Sequence, residues 1–168
     1  MKNTLRSQLG YWLILTSFSL TPSMGQPLPF EDANVIFITT DLADKQAYQA
    51  ISQVLTEHSI LFSLASDGML ISTKGNPSLS SQGAFFMGQV SVIGGLVKLT
   101  GRMHLSSEID SSGSSERNIT PIRYHTGKST LAKAGFMYLD GLAHKLRPVL
   151  HGVIRYKVQK DPQRVDTF

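Results

Sequence analysis

The sequence predicts an α+β fold: a two-layer sandwich with a mainly antiparallel sheet and two helices on one face, in the order β-α-β-β-β-β-α-β. Three observations predict it. Segments around Asp67-Gly68 and Gly94-Gly95 alternate in polarity with a period of two, as hairpins do. Two other segments, 41–58 and 129–147, repeat apolar residues at helical spacing. The chain has 168 residues, 41% hydrophobic and 17% charged, a composition for one globular domain.

Residues 1–25 read as a secretory signal peptide. Lys2 and Arg6 precede an apolar stretch from Leu9 to Leu20, and Ser23-Met24-Gly25 suits cleavage before Gln26. That stretch falls short of the ~20 apolar residues a membrane span needs, and no later segment reaches it. Removing Lys2 and Arg6 from the 16 basic residues leaves a formal excess of two over the 12 acidic ones. Net charge therefore gives no reason to expect nucleic acid, and no aromatic-rich basic run is present. The absence of Cys excludes disulfides, thiolate metal sites, a Cys nucleophile and an N-terminal lipid-anchored Cys.

In the mature chain, 26–33 with Pro27 and Pro29 reads as an extended lead-in, and a single α+β domain covers 34–160. Asn34–Thr40 is β-branched and aromatic, hence a strand. Asp41 offers an N-cap, with Asp44 three residues on, for a helix to about His58 that buries Ala47, Tyr48, Ile51, Val54 and Leu55. A first hairpin around Asp67-Gly68 pairs Leu64 with Ile71 and Phe62 with Thr73 on the core face, together with Ile60 and Met69.

A longer hairpin around Gly94-Gly95 pairs Val92 with Val97, Val90 with Leu99, Gly88 with Gly101, Phe86 with Met103 and Ala84 with Leu105 on a dry face. Its other face pairs Ser91 with Lys98, Gln89 with Thr100, Met87 with Arg102 and Phe85 with His104. The glycine pair leaves a hole on the dry face that a large helix side chain, Tyr48, Phe136 or Tyr138, is expected to fill.

Residues 106–117 are Ser-rich and read as a flexible loop. A second helix begins near Ser129 and stops before Pro148. Its apolar arc holds Leu131, Ala134, Tyr138, Leu142 and Leu146, widened by Phe136, Met137 and Leu139, while Gly135 and Gly141 suit close approach to the sheet. Gly152–Gln159 alternates as a last strand, and 161–168 is a polar tail.

Common catalytic signatures are missing. His125-Thr126-Gly127-Lys128-Ser129-Thr130 invites comparison with a phosphate loop, but the position of that motif's first Gly holds Ile122. The histidines His58, His104, His125, His144 and His151 form no metal-ligand spacing, and no Gly-x-Ser-x-Gly elbow occurs. Neither Asp41/Asp44 nor Glu108/Asp110 reads as an acid–base pair. The sequence therefore designates no catalytic residue, metal or cofactor. Asn118-Ile119-Thr120 matches a glycosylation sequon.

The candidate binding residues are Lys98, Arg102, His104, Gln89, Phe85 and Met87, with Thr100, on the wet face of the long hairpin. Three potential cations beside two large apolar side chains suit an anionic or amphipathic partner.

The strand ending Ile38-Thr39-Thr40, the helix segment Ala47–Ile51 and the run Ser66–Thr73 (Ser-Asp-Gly-Met-Leu-Ile-Ser-Thr) together resemble short uncharacterised envelope proteins of Bacteroidota. Some of these form domains of unknown function with a TBP-like fold. The resemblance covers 34–158 and departs in the Ser-rich insertion and in the missing lipid-attachment Cys. It implies a sheet with two helices and no established activity.

Three functions follow as expectations. The first is an exported, periplasmic or extracellular module that binds an envelope protein or a small ligand through an exposed sheet face. The second is a small enzyme using His104 or His125 with Arg102 or Arg123. The third is adhesion to anionic lipid or glycan. An exposed edge strand offers a route to a homo-oligomer.

Overall fold

The computed structural model describes residues 27–65, 70–74, 83–105, 119–127, 129–160 and 162. The expected signal peptide, Met69, the Asp67-Gly68 turn, the 106–117 stretch, Asn118 and the tail apart from Pro162 lie outside the described residues.

The elements are β1 (Val35–Thr39), α1 (Asp44–Glu57), β2 (Leu61–Leu64), β3 (Leu70–Lys74), β4 (Ala84–Ile93), β5 (Leu96–Leu105), β6 (Ile119–Pro121), α2 (Leu131–Val149) and β7 (Val153–Lys157). They form an α+β fold. The strands make one sheet in the order β2-β3-β4-β5-β1-β7, with β6 paired to β5. Every pairing described is antiparallel. The short β6 is additional to the expected order; it pairs with Arg102–His104, beyond the stretch of β5 that pairs with β1. Both helices lie on one face, where Ile51, Val54, Leu55, Phe136, Leu139 and Leu146 meet Ile36, Ile38, Val90, Leu99 and Met103 in one core.

The long hairpin has the expected register throughout, from Val92 opposite Val97 to Ala84 opposite Leu105. Its turn explains why. Gly94 and Gly95 have φ of 57° and 73°, a conformation L side chains resist, so the two-residue primed turn fixes the pairing outward from this point. Val90, Leu99 and Met103 are buried accordingly. The short hairpin also pairs as expected, Phe62 with Thr73 and Leu64 with Ile71. Ile71 and Thr73 are buried, but Leu64 is 51% exposed because β2 is the edge of the sheet that the described strands form.

The hole above Gly88 and Gly101 is filled from within the strand. A Cβ at either glycine would meet the Phe86 ring, at 2.6 Å and 2.5 Å. Phe86 precedes Gly88 by two residues on the same face, so its ring need only lie along the sheet, whereas a helix side chain must reach down from the layer above. Tyr138 is stacked edge-on over Phe86, with ring centroids 4.9 Å apart, and so packs on the plug without being it.

The helix ends differ from expectation in informative ways. The N-cap of α1 is Ala43, not Asp41, and has no side-chain cap. Gln46 Oε1 accepts from the Ala43 N–H at 3.3 Å. Asp44 is drawn elsewhere: its two carboxylate oxygens accept from the Gly94 and Gly95 N–H groups, both at 3.0 Å. This ties the start of α1 to the tip of the long hairpin, and these two amides hold the Asp44 carboxyl below its ordinary pKa.

Helix α2 begins after Thr130, whose hydroxyl caps the Lys133 N–H at 3.2 Å. It runs through Pro148 to Val149. So close to the C-terminus the proline forfeits one helical bond without breaking the helix. Both helices close with Schellman-type bonds around a non-glycine residue, Ser59 at φ 53° and His151 at φ 50°.

The buried stripe of α2 is centred on Gly135, Phe136, Leu139, Leu142, Ala143 and Leu146, which leaves Met137 exposed. A Cβ at Gly135 would lie 2.6 Å from Ile122 and 2.8 Å from Met103, so this glycine does allow close approach to the sheet. Gly141 faces open space and serves no such purpose. Asp140 lies inside the stripe, where it accepts a hydrogen bond from Tyr156 Oη at 2.7 Å. Burial, then that bond, raises the Tyr156 pKa. The lead-in is not wholly extended: Ala33 N–H donates to the Phe30 carbonyl at 3.1 Å across a turn in which Asp32 has φ 66°. Just before β1, the Asn34 side chain exchanges two hydrogen bonds with the Gln159 backbone, each 2.8 Å, and fastens the start of the strand to the segment after β7.

Two substitutions test this packing. Phe86→Ala should cost about 3–5 kcal/mol in urea unfolding, because the flanking glycines offer nothing to collapse into the void; a loss under ~1 kcal/mol would show that the ring is not the plug. Thr73 Oγ1 is buried without a hydrogen-bond partner. Thr73→Val should therefore raise stability by about 1 kcal/mol, and a loss of that size would show that the hydroxyl is satisfied.

Candidate functional site

The candidate residues share the helix-free face. Cross-strand pairs set Phe85 beside His104, Met87 beside Arg102, Gln89 beside Thr100 and Ser91 beside Lys98. Neighbouring strands extend the set. Lys74 of β3 pairs with Met87, while Phe37 of β1 pairs with both Lys98 and Arg155 of β7. Lys157 pairs with Val35 on the same face. Lys74, Phe37, Arg155 and Lys157 are absent from the expected set. The signal for them was the same alternation, but using it requires knowing that β3 and β1 flank the long hairpin and that β7 flanks β1.

A charge rule emerges from this register. The described strands carry Lys74, Lys98, Arg102, His104, Arg155 and Lys157, and all of them lie on the helix-free face. No described strand contains Asp or Glu. The opposite face is the core, where an unpaired cation is expensive, so every strand charge is placed on this side.

This face is not the evenly solvated surface that alternation predicts. Lys74, Arg155 and Lys157 are exposed, and Phe85, Met87, Gln89, Arg102 and His104 are half-buried. Ser91, Lys98 and Thr100 in its centre are buried. Ser91 and Thr100 are short side chains among longer ones, and Lys98 is engaged in an interaction of its own. Val35 and Phe37 are buried as well, with Lys157 Nζ 5.1 Å from the centre of the Phe37 ring.

One end of the face is organised around an aromatic pair. Phe85 and His104 stack with centroids 5.1 Å apart and planes 14° from parallel. Lys74 Nζ is 5.6 Å from the centre of the Phe85 ring, so that ring is flanked from both neighbouring strands. His104 Nε2 is buried without a hydrogen-bond partner. Burial first, and the nearby Arg102 charge second, hold the His104 pKa below the ordinary value, leaving the ring neutral at pH 7.

The remaining histidines are dispersed. His58 is the C-cap of α1, and His151 follows the C-cap of α2. His144 Nε2 is 3.7 Å from Asp140. His125 does meet acidic partners. Its Nδ1 is 2.8 Å from Glu31 and 4.0 Å from Asp32, and the ligand atoms of these three residues fall within 4.8 Å of one another. Their bonds describe a clasp. Thr126 N–H and Oγ1 donate to Glu31 at 2.8 Å and 2.9 Å, and Arg123 pairs with Asp32 at 3.3 Å. The clasp staples the lead-in to the segment entering α2. Arg123, Tyr124, His125 and Thr126 are thus engaged with the lead-in.

No protein-family model matches this chain, and no curated protein matches it.

The clasp has a pH signature. Its hydrogen bonds, that from His125 foremost, lower the Glu31 pKa from 4.5 to about 2. The folded state thus binds fewer protons than the unfolded state in this window, so the contribution is complete above 4.5 and is lost as pH falls toward 2. Glu31→Gln should flatten the acid slope of stability in that interval. An unchanged slope would assign the acid sensitivity to other carboxyls.

Proposed function

We propose that this protein is an exported binding module of the cell envelope that receives an anionic partner on the helix-free face of its sheet. The observation that carries the reading is the one-sided placement of charge. Five Lys and Arg side chains share that face across β3, β5 and β7, and no carboxylate stands among them in any described strand. None of Lys74, Arg102, Arg155 and Lys157 has an ion-pair partner among the described residues. Their common field attracts an anion and repels cationic surfaces.

Export is inferred from Lys2, Arg6, the Leu9–Leu20 stretch and Ser23-Met24-Gly25. No helix among the described residues is long and apolar enough to cross a membrane.

A ring-stacking mode is disfavoured by the aromatic geometry. Phe37 is buried under Lys157, and Phe85 is already flanked by His104 and Lys74. Neither ring offers the free platform on which single-strand binders stack bases. Recognition therefore rests on charge and hydrogen bonding.

The test is equilibrium binding to dextran sulfate and to phosphatidylglycerol vesicles across a salt series. The wild-type chain should bind at low ionic strength and release as salt rises. At ~1 kcal/mol per cation near an anionic surface, the variant Lys74→Gln/Arg102→Gln/Arg155→Gln/Lys157→Gln should bind at least about a hundredfold more weakly. Undiminished binding by a folded quadruple variant would remove this face from consideration.

A further inference from the structure

We propose that two copies of this chain pair edge to edge through β2, antiparallel and about a two-fold axis perpendicular to the sheet, with Phe62 of each copy opposite Leu64 of the other. The inference is independent of the anionic-partner reading.

The backbone supplies the first reason. Ala65 N–H donates to the Leu70 carbonyl at 2.9 Å, and this pair continues the register that sets Leu61 opposite Lys74 and Ser63 opposite Ser72. Hydrogen-bonded and non-hydrogen-bonded pairs alternate along an antiparallel ladder, so Leu61, Ser63 and Ala65 turn their amides and carbonyls toward β3. Phe62 and Leu64 turn theirs the other way, off the edge of the sheet that the described strands form. Among the described residues no protein group hydrogen-bonds to these outward amides and carbonyls.

The side chains supply the second. Leu61 is 72% and Leu64 51% exposed, Ser63 is exposed, and Phe62 is half-buried, so nothing covers this edge. The strand holds no charge and no Pro, and its pairing with β3 has no bulge. Those are the usual protections of an open edge, and β2 has shortness alone. The opposite edge, β7, carries Arg155 and Lys157, which self-pairing would set cation against cation. On β2 a second copy brings a matching apolar row by identity and makes no demand on an outside sequence.

Symmetry selects the register. The two-fold axis of such a pair keeps each residue opposite one on its own face, so paired positions differ by an even number. Phe62 opposite Leu64 of the second copy satisfies every outward amide and carbonyl of these residues in both strands. Centring the axis on Phe62 instead would aim the Leu64 carbonyl at the Ile60 N–H, which already donates to Leu55 at 2.9 Å. In the chosen register Phe62 and Leu64 join on the helix side, and Ser63 stands beside its own copy on the other side. Both helix layers then lie on one side of a continuous sheet, and both basic faces on the other.

Sedimentation of the full chain over a concentration series reads the association. A monomer–dimer equilibrium is expected, weakened at least about tenfold by Leu64→Lys, which places a cation on the open edge. Met137→Lys, at an exposed position on α2, should leave it unchanged. Register is read by cross-linking, for which the chain has no native Cys. Ser63→Cys lies across the axis from its copy at a Cα separation of roughly 4.5 Å, within reach of a disulfide. Leu61→Cys, at a more exposed position, lies roughly 14 Å from its copy. Mild oxidation should therefore give a covalent dimer from Ser63→Cys and not from Leu61→Cys.

A monomer at every concentration, a dimer indifferent to Leu64→Lys, or cross-linking at 61 in preference to 63 overturns the proposal. A monomer whose Phe62 and Leu64 amides gain exchange protection only on addition of an extended peptide assigns the edge to a foreign strand and overturns it as well.

Discussion

The register of the β4–β5 hairpin is the constraint from which the rest of the molecule follows. Side chains alternate across a strand, so a slip of one residue would exchange the two faces completely. Gly94 and Gly95 prevent the slip by adopting a turn that other residues resist, and Asp44 reinforces it from α1 by accepting both turn amides. With the turn fixed, Val90, Leu99 and Met103 face the helices. Lys98, Arg102 and His104 necessarily face away.

The packing on the dry side depends on close complementarity at two glycine sites. Phe86 lies in the trough over Gly88 and Gly101, and α2 approaches Met103 and Ile122 because Gly135 lacks a Cβ. These contacts bring the helix layer and the sheet together without a disulfide, for which the chain has no Cys. Tyr156 and Asp140 add a buried polar tie between α2 and β7. Two carboxylates, Glu31 and Asp44, each hold distant parts of the chain together. The basic face follows from the same division, since the core side excludes unpaired charge.

Much of this was legible in the sequence, and the reasons divide by range. Hairpin registers, the buried stripe of α1 and the location of both helices were readable because period and turn chemistry are local signals. What the sequence could not supply were features decided by partners distant along the chain. Asp44 reads as a cap until the hairpin tip arrives to claim it. The hole at Gly88 and Gly101 is visible, but its occupant depends on whether a neighbouring ring lies along the strand or a helix residue reaches down. Pro148 suggests a stop, yet the helix tolerates it one residue from its end. Asp140 gives no sign of burial until Tyr156 stands opposite. At the candidate site, the pairs within the long hairpin were readable. The flanking Lys74, Phe37, Arg155 and Lys157, and the burial of Lys98, depend on strand order and on packing across the sheet.

The division of the sheet into a sealed side and a charged side can be measured directly, because the chain has no native Cys to interfere. Single cysteines at Arg102 and Met103, adjacent in β5, should label with a water-soluble thiol reagent at very different rates. The Arg102→Cys protein should react rapidly when folded, and the Met103→Cys protein only as fast as it unfolds. Rapid labelling at 103 with protection at 102 would mean that the hairpin is shifted by one residue, and the basic face would not exist as described.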